Sequence, residues 1–589
     1  MHRVRWAAVA ALLVTSGLLV AGSGWAQDSR GTTAPASGRY IVIAKSAADY
    51  AAMRGDLASA GASVAVSLPA VNADVIVTGD VGVSAAAASA HVQRVIPDRI
   101  ETLIRPDAAT GSQTRQTITG SSPSVRRAVG DPALSLDGLL WNLERVDAPQ
   151  AWQRTLGSPD VVVGVADTGL DYTHLELKKQ VVAVQDFTTT EDPVICDPSD
   201  RRLARQLHAP APDLDFNGHG SWIGGTIAGE MNGTGINGIA PGVKLVALKI
   251  SGSCGSAYDS TILNAFIWAA EHGIDVVSIS FGGYLDRSDP DQDALYDLYV
   301  TTVKYAKRLG TVIAASAGNE HSRIGAGGKV ISHGALFNPP PNGVDLFGLY
   351  EVPGGVPGVV DVGSTGRIVK APSSSCPDDA LDAGTFTWCK PKSDAHQPFG
   401  VGETNQLAYY SNYGPRIDVV GPGGARKFNL PVWDRGGTPG WPYTGVDSLF
   451  DGSSARDGYN AWEDFGITSN WAQEIPCFTF SGFSPFPDDE CYSTIQGTSM
   501  AAPHASAVLA LLASAHPELR HKPAQLVDAL KATARQLTGN ETPRMVFDTS
   551  PADLTGDPCT LGWCHLGDGA ISDADAYGAG LVNAWNAVK

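Results

Sequence analysis

The chain has 589 residues, of which 43% are apolar, so it can bury a substantial core and divide into several domains. This composition excludes disorder along the whole chain. The formal net charge of -19 argues against a nucleic-acid partner, because duplex binding needs a positive face and the sequence carries no basic stripe large enough.

The N-terminus has the pattern of a secretory signal peptide at residues 1–26. Arg3 and Arg5 precede an apolar run at 6–22, and small residues follow at Gly24 and Ala26. A membrane anchor is the alternative, but the run is shorter than the roughly 20 residues that span a bilayer. We therefore expect a secreted, extracellular protein that has no membrane attachment once the signal is removed.

The next stretch, at 27–106, predicts a small α+β domain. Residues 39–45 and 73–77 read as strands, 47–60 and 84–91 as helices, and 92–103 as a last strand. We interpret this stretch as a ferredoxin-like module of βαββαβ order, of which these spans supply both helices and three of the four strands. Residues 107–140 then turn polar, rich in Ser, Thr, Gly and Pro, and contain Arg126 and Arg127. We interpret them as an exposed, cleavable linker.

The pattern changes again from residue 141 to residue 589. Apolar runs at 160–166, 243–250, 275–281 and 310–315 alternate with helical stretches such as 257–272 and 293–308. Continuous apolar strands between helices predict a mainly parallel sheet covered on both faces, that is, a doubly wound α/β domain. Residues 425–495 show little periodicity, and we interpret them as a surface insertion.

The chain contains eight cysteines, an even number that fits an oxidising compartment. Sequence proximity suggests three disulfides and leaves a fourth pair, although other pairings stay open. A zinc site is the alternative, but no CxxC motif or paired histidine spacing is present. The suggested pairs are Cys376 with Cys389, Cys477 with Cys491, Cys559 with Cys564, and Cys196 with Cys254.

Three polar residues occupy positions at the ends of predicted strands and helices, where catalytic side chains are often found. Asp167 directly follows an apolar strand, His219 lies between glycines, and Ser499 precedes an apolar helix. Taken singly, they read as a turn residue, a loop residue and a helix N-cap. Together they occur in the order Asp, His, Ser, which is the order of the subtilisin triad among convergent serine proteases.

The motifs around these residues resemble the signature blocks of the subtilisin family: VADTG at 165–169, NGHGS at 217–221 and GTSMAAPH at 497–504. The resemblance covers residues 141–589 apart from insertions. It implies a serine endopeptidase whose catalytic triad is Asp167, His219 and Ser499, and it implies that 27–106 is an inhibitory propeptide. The expected partners are protein or peptide substrates and this propeptide, and the expected state is a monomer.

Further segments resemble the family's substrate-binding regions. ASAGNE at 315–320 resembles the block whose Asn donates to the oxyanion, which implies that role for Asn319. SISFGG at 278–283 resembles the strand that pairs with substrate. The resemblance thus implies substrate contacts for Ser280, Phe281 and Gly282, and also for Ser251 and Gly252.

Two departures from the family pattern concern packing and specificity. Ser221 and Trp222 stand where the family usually has Thr and His, and Phe281 replaces a usual Leu. No catalytic group is lost. Trp222 is expected to change the packing behind His219, and Phe281 to change how substrate side chains are received.

Two other functions are alternatives to the endopeptidase. A sedolisin-type peptidase uses a Glu base and an Asp at the oxyanion, which His219 and Asn319 contradict. An inactive binding protein on the same scaffold would not need a complete triad. No cofactor is expected to be required, although the resemblance allows a structural calcium ion. The acidic segment at 213–218 superficially resembles a calcium loop, but we interpret it chiefly as the approach to His219.

Overall fold

The computed structural model describes most of the module and of the larger domain. The predicted signal peptide, the Arg126–Arg127 pair and residues 425–465 lie outside the described residues. The described ranges are 38–103, 112–115, 140–188, 201–233, 235–332, 346–366, 407–408, 410–424, 466–472, 491–540, 542–547 and 564–589.

The N-terminal module is a four-stranded antiparallel sheet with two helices, which confirms the ferredoxin-like interpretation and adds the strand Ser63–Leu68 to the predicted spans. Its strand order is β2-β3-β1-β4, the ferredoxin-like arrangement. The second helix lies four residues before the predicted span 84–91, and the predicted last strand is broken at Asp98 and Arg99. The elements are β1 (Arg39–Ala44), α1 (Ala47–Ser59), β2 (Ser63–Leu68), β3 (Ala73–Val77), α2 (Asp80–Ala87), β4 (Val92–Pro97) and β5 (Ile100–Leu103).

The remaining elements belong to the larger domain, apart from β6 in the predicted linker. In chain order they are β6 (Ser112–Arg115), α3 (Trp141–Arg145), α4 (Ala148–Ala151), β7 (Val162–Asp167), β8 (Val181–Asp186), α5 (Arg201–His208), α6 (His219–Ala228), β9 (Lys244–Lys249), β10 (Ser256–Tyr258), α7 (Asp259–Glu271), β11 (Val276–Ile279), β12 (Phe281–Leu285), α8 (Pro290–Leu309), β13 (Val312–Ser316), β14 (Tyr350–Val352), β15 (Val360–Thr365), β16 (Val419–Pro422), β17 (Ile467–Trp471), β18 (Cys491–Ile495), α9 (Thr498–Ala515), α10 (Pro523–Thr533), β19 (Pro543–Phe547), β20 (Cys564–Ala570), α11 (Asp573–Tyr577) and α12 (Ala584–Ala587).

A seven-stranded parallel sheet forms the centre of the larger domain, in the order β16-β15-β13-β11-β7-β9-β8. Alternate residues of β13 face opposite layers: Val312 and Ala314 lie in the cluster with α6 and α9, whereas Ile313 and Ala315 lie in the cluster with α7 and α8. Burial on both faces explains the continuous apolar strands. The doubly wound α/β fold is confirmed.

Helix α9 is almost completely buried. Its residues from Thr498 to Ala513 are buried, because small and apolar side chains surround it on every side. Among the described residues, it is the one helix long and apolar enough to cross a membrane. Its burial against the sheet and α6 identifies it as a core helix.

Part of the stretch interpreted as a surface insertion is buried. Strands β17 and β18 pair with each other, and β18 also pairs with β6 from the predicted linker. Trp222 of α6 packs beneath them with no exposed surface, its indole N–H donates to the carbonyl of Ser493 at 2.9 Å, and the Ser469 hydroxyl donates to its carbonyl at 2.8 Å. The sequence analysis missed these strands because each has only five residues, too few to show a clear alternation.

We expect Trp222→Ala to lower the free energy of unfolding by about 3–5 kcal/mol, since it removes a large buried side chain beneath two strands. Trp222→Phe should cost less, because it removes mainly the hydrogen bond to Ser493. Urea unfolding of both variants, in a background with Ser499→Ala to prevent self-digestion, measures the difference. A loss below about 1 kcal/mol for Trp222→Ala would contradict this packing.

Candidate active site

Asp167 and His219 form a hydrogen-bonded pair at the carboxyl end of the sheet. Asp167 is the last residue of β7, and His219 is the first residue of α6. The imidazole Nδ1 lies 2.8 Å from Oδ1 and 3.0 Å from Oδ2 of Asp167, and both side chains are almost fully buried. His219 Nε2 has no hydrogen-bond partner among the described residues. The pair can therefore hold the imidazole with Nε2 directed away from the carboxylate.

The start of α6 is fixed by Asp215. Its Oδ1 accepts hydrogen bonds from the Thr168 hydroxyl and from the backbone of Asn217 and Gly218, and its Oδ2 accepts from the backbone and hydroxyl of Ser221. A carboxylate at a helix N-terminus satisfies amide groups that lack intrahelical partners. Asp215 thus holds His219 in place through its neighbours.

A buried lysine stabilises the same corner. The Lys249 ammonium donates to the carbonyl oxygens of Thr168 at 2.6 Å and Leu214 at 2.9 Å. Burial lowers the pKa of Lys249, while the Asp215 charge opposes that shift. Burial raises the pKa of Asp215, and Lys249 opposes it. The two charges compensate each other beneath the turn that follows Asp167.

Gly220 allows α6 to approach β7 closely. A β-carbon at this position would lie 2.1 Å from the carbonyl oxygen of Gly169, which backbone cannot accommodate. The Gly220 amide donates to the Thr168 hydroxyl at 2.9 Å, and the Ser221 hydroxyl accepts from the Asp171 amide at 2.8 Å. Ser221 in place of the usual Thr therefore keeps a hydroxyl at this contact.

Ser499 lies in the first turn of α9, where backbone N–H groups lack intrahelical acceptors. Its carbonyl oxygen accepts from the Ser280 hydroxyl at 3.3 Å, so the structure brings these two predicted site residues together. Ser280 directly follows β11, whose last residue Ile279 is the Cα partner of Ala166 in β7, so Ser499 and the Asp167–His219 pair lie at the same edge of the sheet.

Asn319 is tied to the residue that precedes Ser499. Its side-chain oxygen accepts from the backbone N–H of Thr498 at 2.9 Å and from the Thr498 hydroxyl at 2.8 Å. With the oxygen held in this way, the amide nitrogen is the donor end of the side chain. This orientation suits a group that donates to an oxyanion.

His504, the histidine of the GTSMAAPH motif, has a different environment from that of His219. It is fully buried, with Nδ1 2.7 Å from the Met500 carbonyl and Nε2 3.0 Å from the Asn142 amide. Burial lowers its pKa to about 4. His504 is therefore neutral near pH 7 and has the contacts of a structural residue.

A segment of the N-terminal module occupies the cleft beside these residues. Strand β5 lies between β10 and β12 and pairs antiparallel with both. On one side Phe281 and Gly282 are the Cα partners of Leu103 and Thr102. On the other side, β5 pairs with β10, and the Leu103 amide donates to the carbonyl of Gly255 at 2.8 Å. The cleft can thus bind an extended peptide by main-chain hydrogen bonds.

The predicted contacts of Ser251 and Gly252 stay predictions. Both residues follow β9, and the Ser251 amide donates to the Asp167 carbonyl at 3.3 Å. The strand that pairs with β5 begins later, at Ser256. Sequence reasoning missed this strand because residues 257–272 have an almost continuous helical pattern, and three residues are too short to show alternation.

The segment at 213–218 does not fit a calcium ion. Both Asp215 oxygens already accept hydrogen bonds from the protein, and the Asp213 carboxylate accepts from the Tyr172 hydroxyl at 3.1 Å. Within the described ranges, no group of three or more His, Cys, Asp or Glu side chains is arranged to hold a metal. The acidic residues here position α6 instead.

Residues 158–547 match the sequence profile of the subtilase family, which covers more than half of the chain. The chain belongs to the subtilase family. Fervidolysin from Fervidobacterium pennivorans is 26% identical to this subtilase over 462 residues, covering 76% of this chain and 48% of fervidolysin. The major intracellular serine protease of Bacillus subtilis is 31% identical over 208 residues, covering 34% and 56% of the two chains. This subtilase thus spans about half the length of these relatives.

Solved structures agree with the fold. The crystal structure of fervidolysin, a keratinolytic enzyme related to subtilisin, matches this subtilase with a TM-score of 0.53 at 21% identity. The match covers 94% of this subtilase and 60% of fervidolysin. The epidermin leader peptide processing serine protease of Staphylococcus aureus matches with a TM-score of 0.54 at 17% identity. This match covers 93% of this subtilase and 97% of the epidermin protease. At these identities the likeness concerns the fold alone.

Proposed function

We propose that this subtilase is a secreted serine endopeptidase, made as an inactive precursor, with Asp167, His219 and Ser499 as its catalytic triad. The observation that carries the proposal is the buried Asp167–His219 pair, at the same edge of the domain as Ser499 at the start of α9. The serine proteases among its relatives support the reaction class. The substrates are proteins or peptides.

In the proposed mechanism, the Ser499 hydroxyl attacks the carbonyl carbon of the scissile peptide bond. His219 accepts the hydroxyl proton and later donates it to the leaving amine, while Asp167 orients the imidazole and stabilises its charged form. The Asn319 side chain and the Ser499 backbone N–H donate to the oxyanion of the tetrahedral intermediate. Water then hydrolyses the acyl-enzyme and restores the free serine.

The N-terminal module is proposed to inhibit the enzyme until it is cut away. Strand β5 occupies the cleft that an extended substrate would need. A second contact joins the module to α7: Asp98 Oδ1 accepts from the Ser260 amide at 3.0 Å, and its Oδ2 accepts from the Ser260 hydroxyl at 2.6 Å. Arg39 binds the same carboxylate at 2.7 Å. Self-cleavage between the module and the larger domain would release the inhibitor.

Secretion is proposed from the signal-like N-terminus and the cysteine content. Cys254 forms a disulfide, which fits an oxidising compartment. Its predicted partner, Cys196, lies outside the described residues. Disulfide formation and the removal of residues 1–26 belong to the same proposal.

The test is covalent labelling of the processed protein with a fluorophosphonate, which phosphonylates an activated serine and releases fluoride. We expect stoichiometric labelling on the peptide that contains Ser499, and none after Ser499→Ala. Ser506→Ala is the matched control, because Ser506 lies two turns further along α9 with its hydroxyl bonded to the Ala502 carbonyl, and it should be labelled normally. Labelling at another serine, or none in a folded protein that digests no peptide, would refute the triad.

A further inference from the structure

The register of β5 locates the pocket for the substrate residue on the amino side of the scissile bond. Leu103 is the Cα partner of Phe281, so the next residue of a peptide bound in this register falls opposite Ser280. The Ser280 hydroxyl contacts the Ser499 carbonyl, which places that peptide residue beside the proposed nucleophile. In this register its side chain would enter the space between β12 and the segment that ends at Asn319.

The turn after β14 closes the floor of this space. Strand β14 pairs with β12, and a β-carbon on Gly282 would lie 2.5 Å from the Val352 carbonyl oxygen. On the other wall, a β-carbon on Gly354 would lie 3.0 Å from the Ser316 carbonyl oxygen. Residues 351–355 therefore lie against both β12 and the segment that contains Ser316. The side chains of residues 351–355 determine the chemistry of the pocket floor.

Two carboxylates converge on this floor. Glu351 is 3% exposed and Asp361 is 0% exposed, and none of their four carboxylate oxygens has a hydrogen-bond partner among the described residues. A β-carbon on Gly354 would lie 2.5 Å from Glu351 Oε1 and 3.1 Å from Asp361 Oδ1. The glycine leaves open a space lined by these oxygens and by the Ser316 carbonyl.

The nearest cation does not satisfy the two carboxylates. The Arg416 guanidinium donates to the carbonyl oxygens of the 354–359 turn and to Asp418. Burial, and then the Asp361 charge, raise the pKa of Glu351 well above its usual range. Burial raises the pKa of Asp361 to about 7. Arg416 attracts both groups without donating a hydrogen bond to either.

Buried carboxylates without donors are unfavourable, and an arriving cation that donates hydrogen bonds would relieve them. Within the described ranges, no third acidic, His or Cys side chain completes a metal site with them. An ammonium or guanidinium on a substrate brings its own N–H donors and needs no further ligands. These observations favour a basic side chain over an inorganic ion.

On the basis of the proposed endopeptidase function, we propose that Glu351 and Asp361 form the acidic floor of this pocket and select Lys or Arg immediately before the scissile bond. The stretch that self-processing must cut contains such residues: Arg105, Arg115, Arg126 and Arg127. In the register of β5 the residue that follows Leu103 is Ile104, so a preference for Lys or Arg places self-processing after one of these arginines and not directly after the β5 segment.

The test uses three fluorogenic peptides that differ only in the residue before the scissile bond: Lys, Arg and norleucine, which has a lysine-like chain without the ammonium. For the processed wild-type enzyme, we expect kcat/KM to be at least about 10-fold higher for Lys and Arg than for norleucine. Glu351→Gln should lower the Lys and Arg values by about 10²-fold and leave the norleucine value within about twofold, because only the charged substrates lose a buried ion pair. Glu271→Gln, an exposed site with the same charge change, is the control.

The wild-type ranking decides the proposal even if Glu351→Gln fails to fold, and Asp361→Asn provides a second variant. Norleucine cleaved as well as Lys and Arg would overturn the acidic pocket while leaving the endopeptidase intact. A folded, processed protein that cleaves none of the peptides would instead refute the proposed function. Stoichiometric metal in the dialysed wild type that is lost in Glu351→Gln would also overturn the pocket, in favour of an inorganic cation.

Discussion

Replacing Ser499 by alanine is expected to lower kcat by about 10⁶-fold and to leave the precursor uncut. The magnitude is borrowed from subtilisin, a member of the same family. The physical reason is that alanine removes the hydroxyl that is proposed to form the acyl-enzyme, whereas Asn319 and the backbone N–H groups of α9 remain. A methyl group fits the buried site, so the variant should fold.

Two measurements check this result: casein digestion, and the size of the secreted protein on a denaturing gel. Ser506→Ala, on the same helix, should digest casein and process normally. Normal processing together with normal digestion by Ser499→Ala would contradict the assignment. Processing without digestion would mean that another protease cuts the precursor, and it would refute self-cleavage alone.

Asp167→Asn is expected to lower kcat by about 10⁴-fold at neutral pH, a magnitude known from the equivalent change in another serine protease. The Thr168 amide donates to Asp167 Oδ1 at 2.8 Å, so the asparagine oxygen should keep that position. The new NH₂ group then takes the place of Oδ2, which lies 3.0 Å from His219 Nδ1. This contact favours the tautomer with its proton on Nε2, which cannot accept the proton of Ser499.

The measurement is kcat on a fluorogenic peptide, together with fluorophosphonate labelling. Asp160→Asn serves as the control, because Asp160 is exposed just before β7 and the change in net charge is the same. We expect full activity for Asp160→Asn and very slow labelling for Asp167→Asn. An Asp167→Asn enzyme within about tenfold of wild type would show that the carboxylate does not set the tautomer.

The sequence predicted the parts of the fold that depend on local pattern. Apolar runs located the central strands, and the positions of Asp167, His219 and Ser499 followed from what precedes or follows a strand or helix. Short elements were missed, such as β10 and the buried strands β17 and β18, because each is held by pairing with a distant segment. Local periodicity contains no information about such a partner.

The sequence also did not predict that two carboxylates line the floor of the pocket. Glu351 and Asp361 are ten residues apart, and each would read as an ordinary surface carboxylate. Their convergence depends on the 351–355 turn folding back beneath β12 and on Gly354 lacking a side chain. The capping role of Asp215 was also missed, although an acidic residue shortly before a helix is a capping signal.

The contact between Asp98 and Ser260 has a consequence for the active enzyme. In the precursor, the first turn of α7 is capped by a carboxylate that belongs to a separate module. After release of that module, this turn would depend on solvent for the same amide hydrogen bond. A lost cap weakens a helix start by about 0.5–2 kcal/mol, so the backbone amides in this turn should exchange with deuterium faster in the processed enzyme than in the precursor.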